Sequence, residues 1–184
     1  MSQVNVDTVN EYNSGNGVTI DGLSIKDGQV TDFMFDIWRQ TADRTGSATD
    51  YELTSNWERV DDATIGFIGT GMSESSGIFT FPSTGIYKIT FSLEVYNAST
   101  TDGVNAQIKA TTDNGSYSTI IDRNIGIRSS GDTEEGYAIT TFDCTNTSTH
   151  KVKFVAADFK SSSVMRGSST NSETYVIFEK LGAT

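Results

Sequence analysis

The stretch from Ser75 to Phe91, SSGIFTFPSTGIYKITF, decides how the rest of the chain is read. Phe79 and Phe81 alternate with smaller neighbours, and Pro82 then interrupts the pattern. Proline has no N–H to give to a ladder, so it sits at a sheet edge or a strand end. Ser83, Thr84 and Gly85 supply turn chemistry. From Ile86 onward, Tyr87, Ile89, Phe91, Leu93 and Val95 fall on one side, with Lys88, Thr90, Ser92, Glu94 and Tyr96 on the other. A period of two marks a strand with one buried and one wet face. The stretch spells a short edge strand, a proline corner and a long strand.

Similar patterns recur at short spacing. DFMFDIWRQ alternates Phe33, Phe35 and Ile37 against Met34, Asp36 and Trp38. VNAQIKA places Val104, Ala106, Ile108 and Ala110 together, and Asp113, Asn114 and Gly115 follow as a turn able to hold positive φ and close a hairpin. GYAITTFDC, KVKFVAA and TYVIFEKL read as three later strands, separated by GDTEEG, NTSTH and the long polar run KSSSVMRGSSTNSE. Helical periodicity is nearly absent. Eight or so strands joined by polar, glycine-punctuated turns predict an all-β β-sandwich or jelly roll. Only 35% of residues are apolar, so association that hides further apolar surface would add to a modest core.

Charge removes several classes of function. Lys+Arg number 13 against 24 Asp+Glu, a formal charge of −11. Such a chain repels phosphate backbones and offers no basic membrane-binding face, so neither nucleic acid nor membrane insertion is expected. The opening MSQVNVDTVN lacks the basic and apolar regions of a signal peptide, and a lone Cys144 forms no intrachain disulfide. Synthesis in a reducing cytoplasm is the expectation.

The run Gly77-x-Phe79-x-Phe81-Pro82-x-x-Gly85-x-Tyr87-x-Ile89-x-Phe91 resembles the signature of the jelly roll shared by tumour necrosis factor ligands and complement globular heads. DFMFDIWRQTADRTG is similar to that family's first strand, and TYVIFEKLG stands where its closing aromatic strand belongs, so the resemblance spans residues 33 to 182. Val176, Ile177 and Phe178 are bulkier than the family's usual residues after the aromatic. The resemblance implies a homotrimer whose first, third, sixth and eighth strands face the threefold axis. Carried over, these are the strands at 33–38, 104–110, 151–155 and 175–180, with Phe35, Ile37, Ile108, Phe154, Tyr175 and Ile177 as candidate trimer-interface residues. Either face of the closing strand could point to the axis. The Tyr87 strand, polar on its second face, reads as an outer strand.

Catalytic chemistry finds little footing. GTGMSESSG matches neither a phosphate loop nor a nucleophile elbow. His150, the only histidine, reads as a solvated loop residue, and Cys144 as an inert, partly buried thiol. No enzymatic activity is expected, and no cofactor. A calcium site would draw on Asp61 and Asp62 in RVDDAT or on Asp132, Glu134 and Glu135 in SGDTEEG, but neither run has EF-hand spacing, and charged loops are usually just solvated. Trp57 is the candidate ligand-surface residue, able to stack on a sugar ring, with packing on the sandwich edge as the competing reading.

Residues 1–32 read as an attachment and trimer-collar segment ahead of a head domain at 33–184. The run TVNEYNSGNGVTIDGLSIKDGQV resembles segments that precede head domains in structural proteins of marine bacteriophages. Val18, Ile20, Leu23, Ile25 and Val30 are the collar residues, too few to hold a fold alone but able to pack around an axis in three copies. A frayed N-terminal tail is the competing reading. The expected function is a bacteriophage virion surface structural protein, a trimeric capsid decoration or short head fibre, or a tail-fibre tip. Its expected partners are further copies of itself, a capsid or tail protein, and host surface glycans. A chain starting at Met1 with no shaft tilts the expectation towards a short capsid-attached decoration. A bacterial lectin or adhesin module with the same head is the alternative.

Overall fold

The computed structural model describes residues 33–97, 103–126, 129–160 and 162–184, together with the backbone of three short strands ahead of them. Those strands are β1 (Val18–Ile20), β2 (Leu23–Lys26) and β3 (Gln29–Val30), an antiparallel sheet in the order β1-β2-β3. The side chains of Val18, Ile20, Leu23, Ile25 and Val30, the collar candidates, lie outside the described residues.

The head follows as β4 (Met34–Gln40), β5 (Ala42–Thr45), β6 (Ala48–Glu52), β7 (Trp57–Arg59), β8 (Ser73–Ser75), β9 (Ile78–Thr80) and β10 (Gly85–Asn97). It continues with β11 (Val104–Thr111), β12 (Ser118–Ile125), β13 (Thr133–Cys144), β14 (Lys151–Phe159), β15 (Ser163–Ser168) and β16 (Tyr175–Gly182). The front sheet runs β5-β15-β10-β16-β4-β7 with β13 on the free side of β10, and the back sheet runs β12-β11-β14-β9-β8 with β6 on β14. Every head pairing is antiparallel, and the described residues contain no helix. This is the two-sheet all-β sandwich that the alternation predicted and the jelly roll that the Gly77–Phe91 resemblance implies.

The motif around Pro82 works as a corner. Gly85 has φ +150°, and a Cβ there would sit 2.6 Å from the Gly182 carbonyl oxygen and 2.5 Å from Lys180 Cε, so only glycine fits where β10 starts beside β16. The Tyr87 hydroxyl donates to the Ser83 carbonyl at 2.9 Å, fastening the turn to the strand it launches. Beyond the corner, Tyr87, Ile89, Phe91, Leu93 and Val95 are fully buried. Each such side chain contributes about 1.5–3 kcal/mol through removal from water.

Phe79, just before the corner, is the hub of the core. Its ring centroid lies 5.5 Å from that of Trp38, 5.3 Å from Trp57, 5.3 Å from Phe154 and 5.3 Å from Phe178, joining both sheets. One charge enters this interior. Asp36 is fully buried and accepts from Arg59 Nε at 3.0 Å, Trp38 Nε1 at 2.9 Å and the Met72 amide at 2.7 Å. Arg59 lies between the Trp38 and Phe67 rings, 4.8 Å from each, and also donates to the Met72 carbonyl. A buried carboxylate persists only when paired and hydrogen-bonded in this way. The cluster pins the 60–72 crossing to β4.

Several expectations are corrected. The strands at 104–110 and 151–155 are β11 and β14 of the back sheet, whereas the Tyr87 strand is β10, central in the front sheet between β13 and β16. Its polar second face belongs to the same surface as β4 and β16. The strand over GYAITTFDC begins three residues earlier, at Thr133, because Glu134 and Glu135 pair with Val95 and Glu94. The polar run KSSSVMRGSSTNSE contains β15, held by pairing to β10 and β5 and by the fully buried Met165. His150 is buried rather than solvated: Thr145 Oγ1 and Thr149 Oγ1 each sit 3.1 Å from a ring nitrogen, and Phe142 lies 5.8 Å away.

Candidate interaction surface

The two sheets turn very different outer faces to solvent. On the back sheet, Lys109 pairs with Asp50 at 2.6 Å, Lys153 with Glu52 at 2.5 Å, and Gln107 donates to Asp122 at 2.8 Å. That face is charged, and its lysines are paired.

The front sheet's outer face is built in rows that the registers define. Ile37 lies opposite Ile177, Ile177 opposite Thr90, and Thr90 opposite Ile139, so one row crosses four strands with three isoleucines. Beside it runs Arg39–Tyr175–Ser92–Tyr137, and on the other flank Phe35–Glu179–Lys88–Thr141. Phe35 also bridges to Ile68, which extends that flank past β4. Ile139 is 51% exposed, Tyr137 46% and Ile68 52%. Ile37 is already buried in the single chain and Phe35 and Ile177 are half-buried, so the exposed apolar area of this face lies at Ile139 and Tyr137 on one edge and at Ile68 on the other; exposed apolar side chains grouped in this way mark a protein–protein surface.

Polar groups on the face are already engaged. Lys88 and Glu179 form an ion pair at 2.7 Å, and the Ser92 hydroxyl donates to Glu135 at 2.5 Å. The Glu135 carboxylate first, then burial and the neighbouring Tyr175, hold the Tyr137 phenol protonated well above its ordinary range. At the far end, Glu94 stands directly opposite Glu135. Burial, then the Glu173 and Glu135 carboxylates, raise the Glu94 carboxyl above its usual value.

Of the six candidate interface residues, Phe35, Ile37, Tyr175 and Ile177 come together on this face. Ile108 and Phe154 do not. Both are fully buried between the sheets, where Phe154 packs on Phe79 and Phe91, so the chain's own core has consumed them. The parity of the closing strand is now plain: Val176 and Phe178 fill the core, and Tyr175 and Ile177 look outward. Ile139 and Tyr137 were missed, although their alternation in GYAITTFDC carried the signal.

Trp57, the ligand-surface candidate, is half-buried and packs on the sandwich edge. Its Nε1 donates to the Leu53 carbonyl at 2.8 Å and its ring packs on Phe79 and Phe154, so it closes one side of the core. The calcium candidates stay in two separate runs. Asp62 spends its Oδ1 on the Thr64 hydroxyl and amide at 2.7 and 2.8 Å and on the Ile65 amide at 3.1 Å, and these bonds hold its carboxyl below the usual range. Asp61 is exposed beside it. Asp132 accepts from Ser129 at 2.7 Å, Glu134 is half-buried, and Glu135 takes the Ser92 hydroxyl. Among the described residues, no group of three or more His, Cys, Asp or Glu side chains is placed to hold a metal ion. Cys144 is fully buried, and desolvation pushes its thiol up.

No family model matches the sequence, and no curated protein is similar to it at the sequence level. Solved structures do match its shape. Murine APRIL at pH 5.0 superposes with a TM-score of 0.61 at 14% identity, over 82% of this chain and 100% of that one. Murine APRIL at pH 8.5 gives 0.55 at 17% identity, over 82% and 100%. Eiger TNF from S. frugiperda gives 0.56 at 12% identity, over 83% of this chain and 94% of that one. The likeness covers the jelly-roll head, and at these identities it is a likeness of fold: the head is a TNF-like jelly roll.

Proposed function

We propose that this chain is a non-enzymatic structural protein of a bacteriophage virion surface, a homotrimeric TNF-like head joined to the particle through its N-terminal segment. The observation that carries self-association is the contrast between the two outer faces. The back sheet offers paired charges, whereas the front sheet offers the Ile37–Ile177–Thr90–Ile139 row with its aromatic flanks. Packing three such faces around an axis removes Ile139, Tyr137 and the half-buried Ile177 from water, and that burial drives association. The virion role is supported by the likeness of TVNEYNSGNGVTIDGLSIKDGQV to segments that precede phage head domains, and by a strongly acidic, Ser/Thr/Asn-rich composition.

In this reading three identical heads present their loop ends together, so weak contacts to host glycans gain by avidity. Two measurements test it. Mass spectrometry and cryo-EM of purified particles should find the chain on the virion surface at a copy number divisible by three. Its absence from particles, together with a sharp glycan-array specificity, would transfer the head to a bacterial adhesin. A soluble chain that stays monomeric at micromolar concentration would remove the trimer.

A further inference from the structure

The loop between β11 and β12 holds Asn114–Gly115, the one Asn-Gly pair among the described residues. Asp113, Asn114 and Gly115 are all exposed to water. An asparagine side chain is most open to attack by its own backbone when glycine follows, because glycine sets no Cβ beside the attacking nitrogen. The reaction needs only water and hydroxide. The Gly115 amide nitrogen gives its proton to hydroxide and attacks Asn114 Cγ. The new N–C bond closes a five-membered succinimide, and the side-chain nitrogen takes a proton from water and leaves as ammonia. Water then opens the ring at either carbonyl, giving aspartate or, with the backbone rerouted through the side chain, isoaspartate.

In this fold the attacking nitrogen is already engaged. The Gly115 N–H donates to Asp113 Oδ1 at 2.8 Å, and the same oxygen accepts the Ser116 N–H at 3.0 Å and the Thr111 hydroxyl at 2.7 Å. The Asp113 amide returns to Thr111 Oγ1 at 3.3 Å, which fixes the carboxylate from a second direction. Asn114 is pinned on its other side, where its N–H donates to the Thr149 carbonyl at 2.9 Å, and its φ of +57° is a left-handed conformation that asparagine tolerates. Two effects then oppose ring closure. A charge-assisted hydrogen bond must break before the nitrogen turns towards Cγ. The carboxylate beside it also disfavours the negative charge that the nitrogen must take on. The Thr111 hydroxyl first, then the Gly115 and Ser116 amides, hold the Asp113 carboxyl below its usual range, so it stays ionised at the neutral and alkaline pH where the reaction runs.

We propose that Asn114 is a deamidation site of this chain and that Asp113 is the guard that keeps it closed in the folded state. Conversion sets a second carboxylate next to Asp113. As isoaspartate it also adds a methylene to the backbone of the loop and parts residue 114 from Thr149, so the back sheet loosens where this loop meets the turn before β14. Nothing in the step involves the front face, and the site stands whether or not the chain associates.

The test is a time course of the full-length protein at mildly alkaline pH and physiological temperature, read by mass spectrometry after trypsin. Cleavage after Lys109 and Arg123 releases ATTDNGSYSTIIDR, in which Asn114 is the single asparagine, apart from the chain's other Asn-Gly pair at Asn16. The free peptide of the same sequence keeps Asp113 but lacks the fold. Folded protein should convert to aspartate and isoaspartate at least about tenfold more slowly than the peptide, the scale of one hydrogen bond to a charged group. Asp113→Ala should recover several-fold of that difference in the folded protein and leave the peptide's rate nearly unchanged. Thr111→Val, which removes the hydroxyl that orients the carboxylate, is the second variant and decides the matter if circular dichroism shows Asp113→Ala unfolded. Folded protein that converts as fast as the peptide overturns the guard. So does a folded variant that converts no faster than the parent chain.

Discussion

Replacing Ile139 by serine should separate association from folding. Complete burial of an isoleucine side chain is worth about 1.5–3 kcal/mol. Ile139 is 51% exposed, so about half of that, roughly 1 kcal/mol per copy, is unrealised until the front face is covered. Over three copies the loss is about 3 kcal/mol, roughly a hundredfold in the equilibrium constant for trimer formation. The single chain should hardly notice, because surface changes of this kind stay within about 0.5 kcal/mol. Ile108→Ala is the counterpart. Its side chain is fully buried between the sheets, so the expected cost is about 2–5 kcal/mol of chain stability. Mass measured across a dilution series, alongside urea unfolding below the dissociation concentration, reads both quantities. If Ile139→Ser leaves the dilution midpoint where it was, the front face is not the interface.

The remaining expectations concern single groups. Glu94 has its folded-state carboxyl raised above the ordinary 4.5, first by burial and then by Glu173 and Glu135. The folded chain therefore binds this proton more readily than the unfolded chain, and stability falls as pH rises from about 4.5 through the folded value. Glu94→Gln should raise stability at pH 7 by about 0.2–1 kcal/mol, the size of a cross-strand pair, seen as a higher melting temperature, and flatten that part of the pH profile. Asp36→Ala leaves Arg59, the Trp38 indole N–H and the Met72 amide without their acceptor, so thermal unfolding should report a loss of about 3–5 kcal/mol. A cost under 1 kcal/mol would mean that Arg59 simply turns out to solvent.

The fold was legible because the long strands alternate cleanly. Tyr87 to Val95 and Val104 to Ala110 each name their buried face without help from tertiary context. The sandwich around Phe79-Thr-Phe81-Pro82 follows from that. The interface candidates were legible by strand but less so by face. Phe154 and Ile177 look alike in sequence, and only the pairing of β14 into the back sheet and β16 into the front separates a core residue from a surface one. Carrying the axis strands over by order, rather than by sheet, grouped β11 and β14 of the back sheet with β4 and β16 of the front one. β15 escaped notice because Met165 is the single large apolar residue of SVMRGS buried in the core, so no period of two could show. Asp36 gave no sign that it would be buried, since its partner Arg59 is twenty-three residues away.

The most direct test of the front-face trimer is the native mass of the full-length chain at micromolar concentration, by native mass spectrometry or light scattering after size exclusion. Three times the 19.9 kDa chain mass is expected, shifting to the single-chain mass on dilution of Ile139→Ser. A full-length protein that holds 19.9 kDa across the whole concentration range would contradict it.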